Sequence, residues 1–298
     1  MKVAIMTDSN SGITLDEAKK LGIFVLPMPF TINGKEFLEG INLTQEQFYT
    51  YLMSNATVST SQPPLGQLTD FFDRILEKYD AIVHIPMSSG LSGSCQTAHM
   101  VSQMPQYLNK VYVVDSKRIS ITQKWDVYDA LYLSKQGKTA KDIYDILMEN
   151  SMNASIYITL DTLEYLKKGG RLTPVAAAIG SALKIKPVLT IQGSKLDKFH
   201  NVRTMHKAKD MMLNSIIKDI KERIDSHDDM LQARVMVAYT YDENAAKEFK
   251  QQVEKAFPNH EIICDPLSLS VSCHIGPGAI AIGTCKKITD CTNMTSYL

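Results

Sequence analysis

The chain has 298 residues, room for two domains of about 100–200 residues each. Hydrophobic residues make up 44% and charged residues 21%, with only 15 Gly and 11 Pro, which excludes a disordered chain and a fibrous repeat. Lys+Arg and Asp+Glu balance at 32 each, so the basic excess expected of a nucleic-acid binder is missing.

The five cysteines, at 95, 264, 273, 285 and 291, are odd in number and form no Cys-x-x-Cys pair, so neither a disulfide framework nor a zinc cage is signalled. The seven histidines add no cluster at metal-ligand spacing. The opening MKVAIMTDS lacks the features of a secretory signal. The most apolar stretch, PVAAAIGSALKIKPVLTI, carries Lys184 and Lys186 and is not expected to span a bilayer. A reduced, cytoplasmic protein without metal or cofactor is the expectation.

In chain order, residues 3–6 form an apolar run that ends on Thr7, Asp8 and Ser9, and 23–30 form a second. Asn33-Gly34, between Phe30-Thr31-Ile32 and Lys35-Glu36-Phe37, predicts a two-residue hairpin. Helices are predicted over 44–52 and 65–78. Residues 81–85 and 111–114 are compact apolar runs suited to burial on both faces of a parallel sheet. Helices over 92–104, 118–135 and 139–150 follow. This alternation predicts an α/β fold with a doubly wound, mainly parallel sheet.

The second half changes rhythm. Residues 156–159 predict a strand, and 160–168 a helix stopped by Gly169-Gly170. Residues 188–192 and 198–203 flank Gly193-Ser194 as a hairpin. Met205, Ala208, Met212, Ile216, Ile220 and Ile224 recur every three or four residues and predict a long amphipathic helix. Strands over 235–239, 261–264 and 279–282 and a helix over 243–256 complete an α+β half. A boundary at 150–154 divides the chain into an N-terminal domain, 1–152, a C-terminal domain, 153–288, and a polar tail, 289–298, expected to fray.

Three segments carry candidate chemistry. Ser59-Thr60-Ser61-Gln62-Pro63-Pro64 precedes a helix. Its ordinary reading is a helix cap, yet hydroxyls and free N–H groups at a helix start also suit an anion. Ser88-Ser89-Gly90-Leu91-Ser92-Gly93-Ser94 follows the strand at 81–85. Ligands in open α/β sheets lie beyond such carboxyl ends, and Thr7-Asp8-Ser9 and Asp115-Ser116 make two further polar ends. The loop is neither a dinucleotide fingerprint nor a phosphate loop, and a capped tight turn is its ordinary reading. His274, in Ser270-Val271-Ser272-Cys273-His274-Ile275-Gly276-Pro277-Gly278, heads a Gly-Pro-Gly turn, which predicts a loop facing a cleft rather than the usual structural histidine. His84, inside an apolar strand, fits the core. No carboxylate pair suits acid/base work, and Asp228-Asp229 fits a solvated turn.

Together these segments resemble the DegV family, bacterial fatty-acid-binding proteins. The likeness continues through Val114-Asp115-Ser116, Leu163-Glu164-Tyr165-Leu166-Lys167-Lys168-Gly169-Gly170-Arg171, Leu183-Lys184-Ile185-Lys186-Pro187, Val202-Arg203-Thr204 and His274-Ile275-Gly276-Pro277-Gly278. It runs in order from residue 1 to about 285. The resemblance implies an α/β N-terminal domain, an α+β C-terminal domain with a mixed sheet, and one long-chain fatty acid between them. It implies that the carboxylate meets Thr60 and Ser92, with Ser61 adjacent and Ser89, Gly90 and Gly93 shaping the loop. The family's histidine falls on His274 and its head-group arginine on Arg203. The sequence departs from the family at Ser94-Cys95, where a bulky residue is usual, and at His206, where a basic residue is usual. The implied partner is a fatty acid kinase that makes acyl phosphate for phospholipid synthesis. The implied carrier has no catalytic residues of its own, no nucleic-acid partner and at most transient membrane contact.

Energetics agree with such a ligand. Burying about fifteen methylenes gives roughly 12 kcal/mol at ~0.8 each, against an association cost of roughly 4–15 kcal/mol. The tail therefore supplies most of the affinity. The buried carboxylate needs compensation, which two hydroxyls, helix-terminal N–H groups and a protonated His274 would give. A rival reading makes Ser92 a nucleophile and His274 the base of a serine esterase. Its Gly90-Leu91-Ser92-Gly93-Ser94 falls one residue short of the G-x-S-x-G elbow, and no orienting acid is identified. A DNA-binding regulator is suggested only by the family's historical naming, and neither the charge nor a helix-turn-helix pattern supports it.

Overall fold

The structure, a computed structural model, describes residues 1–54, 56–171, 185–193 and 195–290. Four strands, β1 (Val3–Asp8), β2 (Phe24–Leu26), β6 (Ala81–Ile85) and β7 (Val111–Val113), form an all-parallel sheet in the order β2-β1-β6-β7. Because side chains alternate along a strand, β1 serves two cores. Val3 and Ile5 pack with helices α1 (Leu15–Leu21), α5 (Ser120–Lys135) and α6 (Ala140–Glu149), whereas Ala4 and Met6 pack with α3 (Leu65–Leu76) and α4 (Ser94–Ser102). The sheet is thus covered on both faces, the doubly wound arrangement that the apolar runs predict.

A second, antiparallel sheet in this half was not legible as a unit. The strands β3 (Pro29–Ile32) and β4 (Lys35–Leu38) form the expected hairpin, with Asn33 at φ 51° and Gly34 at φ 80°. The short strand β5 (Val58–Thr60) adds to β3, pairing Thr60 with Phe30. Helix α2 (Gln45–Met53) covers this sheet through Phe48 and Leu52.

Six strands form the other large sheet, in the order β10 (Leu196–Val202), β9 (Lys186–Ile191), β8 (Ala154–Thr159), β13 (Ile280–Lys286), β11 (Ala233–Tyr239) and β12 (Ile263–Pro266). It is mixed: β11 and β12 run parallel and the other neighbours antiparallel. Helices α8 (Met205–Asp219) and α9 (Glu243–Ala256) cover one face through Met212, Ile216, Phe249 and Val253. The opposite face, with Ile156, Ile158, Ala238 and Ala281, turns toward α5. A buried ion pair ties the two together: Arg234 donates to both carboxylate oxygens of Asp129 on α5, at 2.7 and 2.8 Å, and its guanidinium lies 4.2 Å from the ring centre of Trp125. Losing either partner would strand a buried charge. Among the described residues, no helix is long and apolar enough to cross a membrane.

Several expectations shift at their edges. The helix expected from 92 begins at Ser94, and the one expected over 160–168 is the single turn and a half of α7 (Glu164–Lys168), stopped at Gly170 with φ 66°. The stripe from Met205 runs as α-helix to Asp219 and continues as a π-turn over Ile220–Ile224. Residues 269–275, read as a loop, form a helix, α10 (Leu269–Ile275), capped by Ser268, which accepts from the Val271 N–H. Thr289, at the start of the tail expected to fray, is buried, and its hydroxyl donates to Asp129 at 2.6 Å. Residues 291–298, together with Leu183, Lys184 and Ser194, lie outside the described residues.

His84 on β6 is buried at the edge of the Phe72 ring, and burial pulls its pKa down to about 4 from an ordinary 6.5. The folded state therefore holds the neutral ring, while the unfolded chain takes up a proton below pH 6.5. Stability contributed at this position is present above pH 6.5 and is lost as pH falls toward 4. Relative to His84→Gln, the parent is expected to lose on the order of 2 kcal/mol between pH 7 and pH 5. Denaturant titrations of both proteins at the two pH values measure it.

Candidate functional site

A cavity open to solvent is lined by residues of both halves. Its walls are mostly aliphatic. Ile119 and Ile121 come from the start of α5, Ile156, Ile158 and Ala281 from the six-stranded sheet, and Met28, Met87 and Leu91 from the loops beyond the parallel sheet. The polar lining residues are Thr60 at the end of β5, Ser61 and Gln62 just after it, Ser92 before α4 and His274 on α10, together with Asn10, Ser120, Arg171 and Ser270.

The parallel sheet explains part of this placement. The loop that follows β6 carries Ser92, whose N–H donates to the Ser88 carbonyl at 3.2 Å and whose hydroxyl accepts from the Ser94 N–H at 3.2 Å. Asp115, beyond β7, accepts from the Ser89 N–H at 3.1 Å, and Lys117 donates to the Ser89 hydroxyl at 3.2 Å. Ser89, Gly90 and Gly93 do not line the cavity. They shape the loop: the Gly90 N–H donates to the Ser88 hydroxyl at 3.3 Å, and Gly93 lies against the Gln62 amide. Asp8, at the end of β1, is buried and accepts from the N–H groups of Asn10 and Met87 and from the Gln123 amide. Burial pushes its carboxyl above the usual range.

Thr60 and His274 meet directly, with Oγ1 and Nε2 2.8 Å apart. The meeting requires glycines behind the ring. A Cβ on Gly169 would collide with the His274 imidazole, and one on Gly276, which has φ 78°, would collide with the Tyr165 ring. Burial first, then the nearby Arg171 guanidinium, pull the His274 pKa down to about 4. In the ligand-free chain the ring is therefore neutral at pH 7.

The arginine that the resemblance places near the head group stands away from the cavity. Arg203 is exposed between β10 and α8 and does not line the cavity. The guanidinium at the cavity belongs to Arg171, which follows α7 and donates to the Gly169 carbonyl at 2.7 Å. Asn10 and Ser270 also line the cavity and were missed; the Ser270 hydroxyl donates to Asn10 Oδ1 at 2.5 Å. Asn10 directly follows the polar strand end Thr7-Asp8-Ser9, a signal that could have found it.

This geometry suits binding an anionic group better than hydrolysis. His274 Nε2 faces Thr60 rather than Ser92, and its Nδ1 is buried with no hydrogen-bond partner among the described residues, so no carboxylate orients the ring as a base. Among the described residues, no three His, Cys, Asp or Glu side chains are grouped to hold a metal ion.

A family model for DegV proteins, described as uncharacterised, matches residues 2–287. The chain belongs to the DegV family. It is 29% identical over 286 residues to a DegV domain-containing protein of Staphylococcus aureus strain N315, spanning 96% of this chain and 99% of that one. Among solved structures it is similar to DegV of Bacillus subtilis, a fatty acid binding protein, at 28% identity and a TM-score of 0.85, covering 96% of this chain and 100% of that one. A DegV family protein from Thermus thermophilus, whose structure concerns fatty acid binding, matches at 25% identity and a TM-score of 0.86, over 96% and 100% of the two chains. The likeness covers both halves, and the DegV fold accounts for the two large sheets.

The glycines of this DegV site give a direct test. Gly276→Ala is expected to cost about 2 kcal/mol or more, since it adds both a left-handed backbone penalty and a collision. Gly66→Ala, in α3 with nothing within 4 Å of the new Cβ, is expected to stabilise by about 0.5–1 kcal/mol. Urea unfolding of the two variants beside the parent measures both.

Proposed function

We propose that this chain binds one long-chain fatty acid and presents its carboxylate to a separate fatty acid kinase, which forms the acyl phosphate. The observation that carries the reading is the lining of the cavity: mostly aliphatic walls, with the hydrogen-bonded Thr60–His274 pair, Ser61 and Ser92 among its polar residues. The fatty acid binding DegV of Bacillus subtilis supports it through a shared fold over nearly the whole chain.

In this reading the tail lies along Ile119, Ile121, Ile156 and Ile158 and supplies most of the affinity, about 0.8 kcal/mol per buried methylene. The head group is the expensive end. A carboxylate leaving water loses more than an apolar wall returns, so it needs donors in place. The hydroxyls of Thr60, Ser61 and Ser92 and the neutral His274 ring each offer one, and Arg171 adds the counter-charge. Ser61 and Gln62 are exposed, so the head group would sit where a second protein reaches it. Transfer of the phosphoryl group would be the kinase's work, in the cytoplasm, with loading from a lipid surface requiring only transient membrane contact.

Thr60→Ala and Ser92→Ala each remove a donor to a charged group, a bond worth about 1.5–3 kcal/mol. Each is expected to weaken palmitate binding by about 10- to 100-fold without abolishing it. A double variant that binds as tightly as the parent would place the carboxylate elsewhere.

His274→Gln separates carrier from hydrolase. Gln keeps an N–H donor of similar reach but takes up no proton, so it should retain much of the binding. No preparation, parent or variant, should cleave acyl esters, and acyl phosphate should form only with ATP and a cognate kinase. Steady ester turnover by the parent that disappears in His274→Gln would contradict the carrier.

A further inference from the structure

One partly buried carboxylate outside the cavity is tied to the helix that carries His274. Glu39 follows β4, and its Oε1 accepts from the Leu269 N–H at 2.8 Å in the first turn of α10. The same carboxylate takes a bond from the Ser270 N–H, and its Oε2 is buried with no hydrogen-bond partner among the described residues. Two more contacts grip this helix: the Tyr49 hydroxyl of α2 donates to Ser272 Oγ at 3.2 Å, and the Ser270 hydroxyl donates to Asn10. At the other end of the helix His274 meets Thr60 at 2.8 Å. Leu269 and His274 lie about 8 Å apart along the axis at ~1.5 Å per residue, so a shift of the first turn carries the ring with it.

We propose that Glu39 is a positioning residue for the head-group site: by holding the first turn of α10 it sets where the His274 ring stands against Thr60. The proposal rests on the fatty-acid reading only for what His274 then does with a ligand. It explains why a carboxylate stands in a place that desolvates it. A charged acceptor holds backbone N–H groups about twice as strongly as a neutral one, and a helix start favours negative charge.

Glu39 is also the group here whose charge changes near neutrality. Burial pushes its pKa up to about 7, against the opposing pull of the Leu269 and Ser270 N–H groups. Tyr49 on α2 and Cys273 on α10 face it, and burial raises both to about 12, so both stay protonated around pH 7. Asp16 of α1 lines the same surface cavity as Glu39. His274 is neutral well above its own pKa of about 4. Between pH 6 and 8 the ionisation of Glu39 therefore tightens the hold on α10, and protonation loosens it.

The test follows the His274 ring by NMR in the ligand-free full chain from pH 5.5 to 8.5, for the parent and Glu39→Gln, with His274→Gln to assign the signal. Gln keeps an oxygen acceptor for Leu269 but does not titrate. The parent signal is expected to pass through an inflection near pH 7 that Glu39→Gln removes. In the same samples, the ratio of palmitate Kd in Glu39→Gln to that in the parent is expected to rise several-fold from pH 6 to pH 8. A parent signal flat over that range, an inflection that survives in Glu39→Gln, or a constant Kd ratio overturns the proposal. A parent that shows the inflection but takes up no palmitate would instead refute the fatty-acid reading and leave the role of Glu39 standing.

Discussion

The hydrogen bond between Thr60 and His274 joins residues 214 positions apart, and most of the local structure serves to let it form. Thr60 ends an edge strand of three residues that pairs antiparallel with β3. His274 rides a helix of seven residues that could not persist alone. Each is held from outside its own element: β5 by the hairpin, α10 by Glu39, Tyr49 and Asn10, and the ring itself by the bare backbone of Gly169. A polar pair at an apolar cavity is costly unless fully placed, which is why so many contacts converge on it.

The aliphatic part of the cavity depends on a different arrangement. Helix α5 lies between the parallel sheet and the mixed sheet, and its first turn supplies Ile121 to the wall. The Arg234–Asp129 pair and the stacking on Trp125 fix α5 against β11, so the two faces that enclose the bore keep one spacing. Opening the bore by separating the sheets would expose that ion pair. Binding free energy that comes mainly from the tail thus requires walls that are already in place, and the buried pair provides them.

The sequence carried the large elements well because their signals are physical and local. Runs such as 81–85 are apolar apart from His84, and β6 is buried at every position. Asn33-Gly34 supports positive φ at both residues, and the hairpin forms there. The hydroxyls of Thr60, Ser61 and Ser92 and the ring of His274 were legible as polar groups next to turns, and all four line one cavity. What escaped was set by tertiary contact. Helix α10 reads as a serine-rich loop, because its stability comes from Ser268, Glu39 and Tyr49 rather than from propensity. Arg203 matched a motif but is exposed and does not line the cavity, while Arg171 lines it after α7. Glu39 looks like an ordinary hairpin carboxylate until its partner, 230 residues away, is known.

The central claim is that this cavity holds one long-chain fatty acid. Native mass spectrometry of the full chain, purified without detergent or added lipid and then titrated with palmitate and oleate, tests it most directly. The account predicts a species heavier than the polypeptide by one long-chain fatty acid, saturating at one per chain and releasing the free acid on denaturation. A polypeptide mass that stays unchanged through purification and through both titrations would contradict it.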